Sequence, residues 1–213
     1  MAIHVYPNMN IEVVAPHDAQ IEKIYEKIKK RASWIIAQQS FFKQFHSKEL
    51  ARQFVSGETH RYLGRQYRLK ISLGIKNQVK LSRGHILITS HYPKNQQLTK
   101  VLFEEWLRLR AFEKFTERLL ICLQKFKNPE KFKPKNMIIR KLSNRWGSMT
   151  SSHRLVLNKR LIHAPAPCID YVIIHELCHI QHSNHSPEFW KFLGAILPDW
   201  EKIKTQLERC LIS

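Results

Sequence analysis

The stretch Ile173-Ile174-His175-Glu176-Leu177-Cys178-His179 sets two histidines four residues apart, directly after a run of apolar residues. On an α-helix, residues four apart lie on one face, about 6 Å from each other along the axis. His175 and His179 would therefore offer two imidazoles to one zinc ion, which takes nitrogen ligands at roughly 2.0–2.1 Å. The apolar run predicts that this helix is buried, so we expect the core of the fold to form around it.

Glu176 lies next to the first histidine of this pair. From there a carboxylate cannot easily reach the metal, but it can reach a water molecule on the metal. Zinc lowers the pKa of that water towards about 7, so Glu176 could take its proton and then pass it to a leaving group. We therefore predict a zinc hydrolase with Glu176 as the general base. Cys178 points to another side of the helix, and we expect it to pack in the core.

The third metal ligand has three candidates, because a catalytic zinc usually takes three protein ligands and keeps one position open. They are His182, His185 and Glu188. On a continued helix His182 would fall in a row with the other two histidines, which is poor geometry for a tetrahedral site, and Glu188 begins the next predicted helix. If the helix ends near Ser183-Asn184, the chain can turn His185 back onto the metal. This spacing favours His185 and leaves the other two as alternatives.

Outward from the metal-binding helix, the pattern of apolar residues predicts an α+β fold with an antiparallel sheet and long helices. We expect helices from the capping residue Asp18 to Ile36, from about Leu98 to before Asn128, from Cys168 to about Gln181, and from Glu188. Turn residues predict two β-hairpins, at Gly64 and at Arg83-Gly84. Further strands are expected at residues 11–15, 137–142, 145–147 and 154–158.

These elements suggest two lobes. Residues 1–95 would form a β-rich N-terminal lobe with one long helix, and residues 96–213 would form the catalytic lobe, unless both belong to one continuous domain. The predicted metal site would then lie entirely in the second lobe.

The chain is strongly basic, since 36 lysines and arginines against 17 acidic residues give a formal net charge of +19 over 213 residues. Such an excess attracts polyanions over long range, which makes nucleic acid a candidate partner. However, the basic residues are spread along the chain, and no motif that reads nucleic acid occurs. The charge therefore also fits a basic surface that is merely solvated.

The apolar stretches, the first residues and the cysteines indicate in which compartment the protein is expected. No apolar stretch approaches the roughly 18–20 residues that cross a bilayer, and the first residues do not read as a secretory signal, so no membrane partner is expected. The four cysteines, Cys122, Cys168, Cys178 and Cys210, show no C-x-x-C spacing. They read as free thiols in a reducing compartment, and we expect a cytoplasmic protein.

Several segments fit together into a wider pattern. They are Arg145-Trp146-Gly147-Ser148, Leu157-Asn158, Ile169-Asp170-Tyr171-Val172, the histidine motif at 175–179, and Asn184-His185-Ser186-Pro187-Glu188-Phe189-Trp190. In combination they resemble the YgjP-like metallopeptidase family, whose core is similar to that of the SprT-like and WLM-type zinc proteases. The resemblance implies a zincin-like catalytic core, Zn²⁺ as cofactor, and a protein or peptide as substrate.

The resemblance also bears on individual residues. In the related proteases a histidine before a small residue and a later aromatic completes the metal site, and this pattern selects His185 here. It suggests that Arg145 and Trp146 line the substrate cleft beside an edge strand; the structural alternative makes Trp146 a core residue and Arg145 an ion-pair partner. The family usually carries a cysteine after Arg-Trp-Gly-Ser, where this chain has Met149, so any role of that cysteine is absent.

Three functions follow from these patterns. The first is a zinc-dependent metallopeptidase, with a peptide bound as an added strand and Glu176 activating water. The second is a zinc-dependent hydrolase of a nucleotide phosphoanhydride, although the sequence has no Gly-rich phosphate loop. The third is a non-catalytic, zinc-stabilised basic module that binds nucleic acid. A purely structural zinc has no need of a carboxylate at Glu176, which favours the enzymes.

Overall fold

The structure, a computed structural model, describes residues 2–5, 10–16, 18–36, 39, 52–143 and 145–212. Contacts divide the chain into two compact units, residues 1–50 with 212–213 and residues 51–211. The boundary expected between residues 95 and 96 falls inside the second unit and stays a prediction. Within the described ranges, every helix is too short or too polar to span a membrane.

The first unit contains a short hairpin and an amphipathic helix. Strands β1 (Ala2–Val5) and β2 (Ile11–Val14) pair antiparallel. Helix α1 (Ile21–Lys30) follows, with Gln20 as its N-cap residue. The predicted helix is present, but α1 ends at Lys30, where the Arg31 N–H bonds to the Ile28 carbonyl, and the helical residues 32–36 follow only after this turn. The expected cap at Asp18 is wrong, because a turn that bonds Ala19 N–H to the Pro16 carbonyl ends the extended segment first.

The rest of the described chain alternates strands with helices. The strands are β3 (Thr59–Tyr62), β4 (Arg65–Leu73), β5 (Gln78–Ser82), β6 (His85–Ser90), β7 (Asn136–Arg140), β8 (Gly147–Met149) and β9 (Arg154–Asn158). The helices are α2 (Gln96–Leu123), α3 (Pro129–Phe132), α4 (Ala166–Cys178), α5 (Pro187–Ile196) and α6 (Trp200–Ile212), with a 3-10 helix at Lys159–His163. Both predicted hairpins are confirmed, with turns at Gly64 and at Arg83-Gly84.

The predicted antiparallel sheet is wrong in its topology, because both sheets of the second unit are mixed. The first has the strand order β3-β4-β6-β5, and β6 runs parallel to β4. The second has the order β7-β9-β8, and β9 runs parallel to β7. In the first sheet β6 lies between β4 and β5, and in the second β9 lies between β7 and β8. In both cases a strand that comes later in the chain takes an interior position in the sheet. Local turn residues show that two neighbours form a hairpin, but they do not show which strand takes the centre of the sheet.

The main core forms around α4, most of whose residues are buried. Ile173 of α4, Phe115 of α2 and Leu157 of β9 are each fully enclosed. A smaller apolar cluster lies under the four-stranded sheet, where Phe103 of α2 meets Ile88 of β6. Because α2 contributes to both clusters, it connects the first sheet to the core that holds α4.

An ion pair ties α4 to α2. Nε of Arg118 donates to Oδ1 of Asp170 at 2.6 Å, and Nη2 donates to the second carboxylate oxygen. The side chains are only 19% and 10% exposed. Asp170 lies five residues before His175 on the same helix, so this contact fixes the helix that carries the histidine motif.

Replacing Arg118 by methionine is expected to lower the free energy of unfolding by about 2–3 kcal/mol, because it leaves the nearly buried carboxylate of Asp170 unpaired. Urea denaturation measures the change. Arg108→Met is the matched control on the same helix, since Arg108 pairs with Glu105 through side chains that are 64% and 53% exposed. That variant should lose less than about 1 kcal/mol. Equal losses of stability in the two variants would contradict a special role of the Arg118–Asp170 ion pair.

Candidate metal centre

The histidine motif lies where α4 ends. The helix closes at Cys178, with His179 as its C-cap residue. The N–H groups of Ile180 and Gln181 then donate to carbonyls three residues back. The helix therefore ends before Gln181, the predicted end, because a tighter turn replaces its last α-helical turn. A pattern of apolar residues does not distinguish these two kinds of turn.

A bend at residues 183–184 returns the chain to the helix end and places His185 beside the first two histidines. One ring nitrogen each of His175, His179 and His185 lies within 4.8 Å of the others. Nε2 of His175 is 2.9 Å from Nε2 of His185. Two nitrogens on one tetrahedral zinc ion lie about 3.3 Å apart, given Zn–N distances near 2.0–2.1 Å. The cluster therefore fits a small metal ion with little movement.

Two features prepare these imidazoles to act as ligands. Burial lowers the pKa of His175 to about 3, with the neighbouring His185, His179 and Lys204 adding to the effect, so its ring is neutral. Nδ1 of His179 lies 2.9 Å from the backbone carbonyl of His182. Since a carbonyl only accepts, Nδ1 carries the proton and Nε2 keeps its lone pair. This contact fixes both tautomer and ring orientation, as partners of metal-bound histidines usually do.

Aromatic side chains pack against the three histidine rings. Phe189 is fully buried, and its ring centroid lies 5.0, 4.7 and 4.7 Å from those of His175, His179 and His185. Trp190 stacks on the outer histidine, His185, at 5.4 Å. Both aromatics come from the first turn of α5, so this helix holds the third histidine in place.

Glu176 follows His175 in the chain and lies against Gly147 of strand β8. Its residue is only 7% exposed. Burial raises the pKa of Glu176 to about 7, while the backbone N–H of Met149 and the charge of Arg145 act in the opposite direction. The backbone of Met149 in β8 therefore lies close to the carboxylate. A carboxyl group with a pKa near neutrality is well suited to accept and return a proton.

Gly147 makes room for this carboxylate. A Cβ at position 147 would lie 2.7 Å from Cγ and 2.9 Å from Oε1 of Glu176, and 3.0 Å from Cγ1 of Val172. Contacts below 3.0 Å force a shift, so only glycine allows Glu176 to lie against β8 as it does. Sequence reasoning did not single out this glycine, although it stands inside the segment 145–148 that carries the family resemblance.

The alternative ligands lie elsewhere. The ring of His182 packs against Phe192 at 5.4 Å, and it is the backbone carbonyl of His182 that contacts the cluster. Glu188 is exposed in the first turn of α5. Cys178 is fully buried, and burial raises the pKa of its thiol to about 12, so it is a protonated core residue.

The two residues expected at the substrate cleft lie at the start of β8. Trp146 is half-buried and packs against the main core, whereas Arg145 is exposed and its Nη1 donates to the Ser148 hydroxyl at 3.3 Å. Asn158, which sequence reasoning did not assign to the site, holds this segment. Its Nδ2 donates to the carbonyls of Leu142 and Arg145 at 2.9 Å each.

Comparison with known families agrees with this arrangement. The sequence model of the YgjP-like metallopeptidase domain matches residues 1–210. The chain belongs to the YgjP-like family. No curated protein matches the sequence. The YgjP-like domain contains the candidate metal centre, including the three histidines and Glu176, and membership of a metallopeptidase family implies a metal and a protein or peptide substrate.

Proposed function

We propose that this chain is a zinc-dependent peptidase in which His175, His179 and His185 bind the metal and Glu176 acts as general base. One observation carries the proposal: three imidazole nitrogens converge within 4.8 Å, directly beside a buried carboxylate. Three histidines with one open position make a typical catalytic zinc site, whereas structural sites are closed by four protein ligands. When bound, zinc supplies Lewis acidity, which makes water more acidic and a carbonyl more electrophilic.

The residues of the chain supply the proton transfers. Glu176 would accept the proton of the attacking water through its carboxylate and then return that proton to the leaving amine. Strand β8 limits the movement of this carboxylate, because Glu176 lies directly against Gly147. The exposed side of His185 leaves the cluster open towards solvent, where a substrate can approach.

Strand β8 offers a place for the peptide backbone. It is an edge strand, since it pairs only with β9 among the described strands. Trp146 O and Thr150 N point towards β9, so by strand alternation the backbone groups of Gly147 and the carbonyl of Met149 point outward, where a peptide could bond to them. A peptide added antiparallel to this edge would pass the carboxylate of Glu176 and present its carbonyl to the metal. Arg145 would then lie beside the peptide.

Hydrolysis of casein by the zinc-loaded protein tests the proposal. We expect cleavage that stops after removal of the metal with a chelator and returns with added zinc. Parallel assays with nucleoside triphosphates and pyrophosphate test the phosphoanhydride alternative. Release of phosphate without cleavage of casein would overturn the peptidase. Retention of zinc with neither activity, together with binding to DNA or RNA at low salt, would favour the non-catalytic basic module.

The choice of third ligand gives a separate prediction. His185→Ala should weaken zinc binding by at least about 100-fold, because it removes one of the three ligands. Loss of a hydrogen-bond partner that only orients a ligand costs about 10–100-fold in metal affinity. His182→Ala is the matched control, since the cluster uses only the backbone carbonyl of His182. Competition with a zinc-binding dye measures both affinities. Equal affinities in the two variants would contradict the ligand set.

A further inference from the structure

A cavity of about 480 Å³ lies in the second unit. Its walls come from the segment before β3, from β3, from the N-terminal half of α2, from the end of β7 and from the 3-10 helix. None of the described residues of the candidate metal centre lines it. Its volume falls within the range of about 300–1,000 Å³ that is usual for small-molecule sites.

The floor of the cavity is apolar. Phe103, Ala111 and Ile162 line it and are 3%, 1% and 2% exposed. Leu107 and Ile139 extend the same surface. These side chains belong to the packed cores of the unit, so the floor is rigid and favours the apolar part of a ligand.

The rim is strongly basic. Among the described residues, five cationic side chains line the cavity against two carboxylates. One of these carboxylates, Glu105, is already held by Nε and Nη2 of Arg108 at 2.8 and 2.7 Å. Apart from that pair, the cations are Arg52, Arg140, Lys159 and Arg160. The cavity therefore has a positive potential that an anion would neutralise.

Arg52 is held in position at this rim. Its Nη1 donates to the carbonyl of Thr59 at 3.2 Å and to Nδ1 of His60 at 3.1 Å. The ring centroid of His60 lies 5.5 Å from that of Phe54 and 4.4 Å from that of Phe103. These contacts orient the guanidinium before any ligand arrives, and a group ordered in advance binds at a lower entropic cost.

The two histidines that line the cavity, His60 and His163, have lowered pKa values, as expected beside positive charges. Burial first, and then the charge of Arg52, lower the pKa of His60 to about 4, although Glu58 opposes the shift. The pKa of His163 is likewise lowered, by burial first and also by Arg52 and Arg160. Both rings are therefore neutral near pH 7, and the positive charge of the rim comes from its arginines and Lys159.

We propose that this cavity binds a small organic anion, in which one phosphate or carboxylate group is attached to an apolar body. The oxyanion would lie among Arg52, Arg140 and Lys159, where charge-assisted hydrogen bonds are strongest. The apolar body would lie on the floor formed by Phe103 and Ile162. The site is separate from the proposed peptidase centre and does not depend on it.

Calorimetric titration of the full zinc-loaded chain tests this proposal with four probes: phenyl phosphate, benzoate, inorganic phosphate and phenol. We expect phenyl phosphate or benzoate to bind at least about 10-fold more tightly than either inorganic phosphate or phenol, because only they use both rim and floor. Comparison of the two organic anions shows whether the site prefers a phosphate monoester or a carboxylate. Equal binding of inorganic phosphate and the organic anions would overturn the proposal, as would no binding.

Variants locate the binding. Arg140→Gln combined with Lys159→Gln should weaken the preferred probe at least about 10-fold, since each change removes a charge-assisted contact. Lys70→Gln with Lys80→Gln removes the same charge from exposed strand positions that do not line the cavity, and it should change affinity less than about 2-fold.

A second variant blocks the cavity without a change of charge. Val101 lines it and is 54% exposed, so Val101→Trp should fill the space and abolish binding of the preferred probe. Thermal unfolding establishes that each variant is folded. Binding that survives both the charge variant and the folded tryptophan variant lies elsewhere, including at the metal, and would contradict the assignment.

Discussion

Glu176→Gln is expected to lower peptide hydrolysis by about 10²–10⁴-fold, the usual contribution of a positioned general base. Glutamine has the shape of glutamate but cannot accept a proton from water. The amide can still contact β8, so the fold around the site is retained. The three histidines are untouched, and bound zinc should stay at one ion per chain. Measurement of kcat/KM on a fluorogenic peptide, with zinc content from the same sample, checks both expectations.

Glu188→Gln is the matched control for this variant. Glu188 is exposed on the neighbouring helix α5 and lies outside the histidine cluster. The same chemical change there should leave kcat/KM within about 2-fold, because Glu188 is exposed to solvent and salt, which screen its charge, and offers no atom to the cluster. Full activity in Glu176→Gln would exclude this residue as the base. Loss of zinc in the same variant would instead give the carboxylate a role in binding the metal.

Gly147→Ala should lower activity by about 10–100-fold without loss of the metal. The new Cβ would lie 2.7 Å from Cγ of Glu176, so the carboxylate must move away from β8. A displacement of about 1 Å at a catalytic group can cost 10²-fold in rate. Because the change acts through Glu176, Gly147→Ala should reduce the activity of Glu176→Gln only slightly further. A separate, multiplicative loss in the double variant would show that the glycine acts independently.

Gly194→Ala provides the comparison for this substitution. A Cβ there would meet its nearest atom, on Trp200, at an ordinary 3.6 Å. Gly194 lies inside α5, so alanine should stabilise the chain by about 0.5–1 kcal/mol and leave activity unchanged. If Gly147→Ala lost activity only because the protein unfolded, its zinc content and circular dichroism would fall together with the rate.

Local patterns predicted the elements of this fold well. Both hairpins, the long helix α2 and strand β9 lie where turn residues and apolar periodicity predicted them. The ends of helices were less well predicted. The cap of α1 is Gln20 rather than Asp18, and α4 ends at Cys178 rather than near Gln181. An α-helical turn and a tighter 3-10 turn can have the same pattern of apolar residues, so this pattern does not fix the last residue of a helix.

The arrangement of the sheets was not predictable in the same way. A hairpin requires only neighbouring residues, whereas the insertion of β6 between β4 and β5 depends on packing against α2 and the rest of the unit. The same holds for Gly147 and Asn158. Their roles are contacts with residues far away in the chain, and sequence spacing says nothing about such distances.

By itself, the sequence determined that His175, Glu176 and His179 lie together, because they are close on one helix and local geometry suffices to place them. It also indicated the YgjP-like family. The spacing and the family pattern favoured His185 over His182 and Glu188, but only the tertiary structure shows how it comes to lie beside the other two histidines, through a bend outside the helix and the packing of α5. Contacts within one turn follow from backbone periodicity, whereas contacts across a bend depend on how the whole core packs.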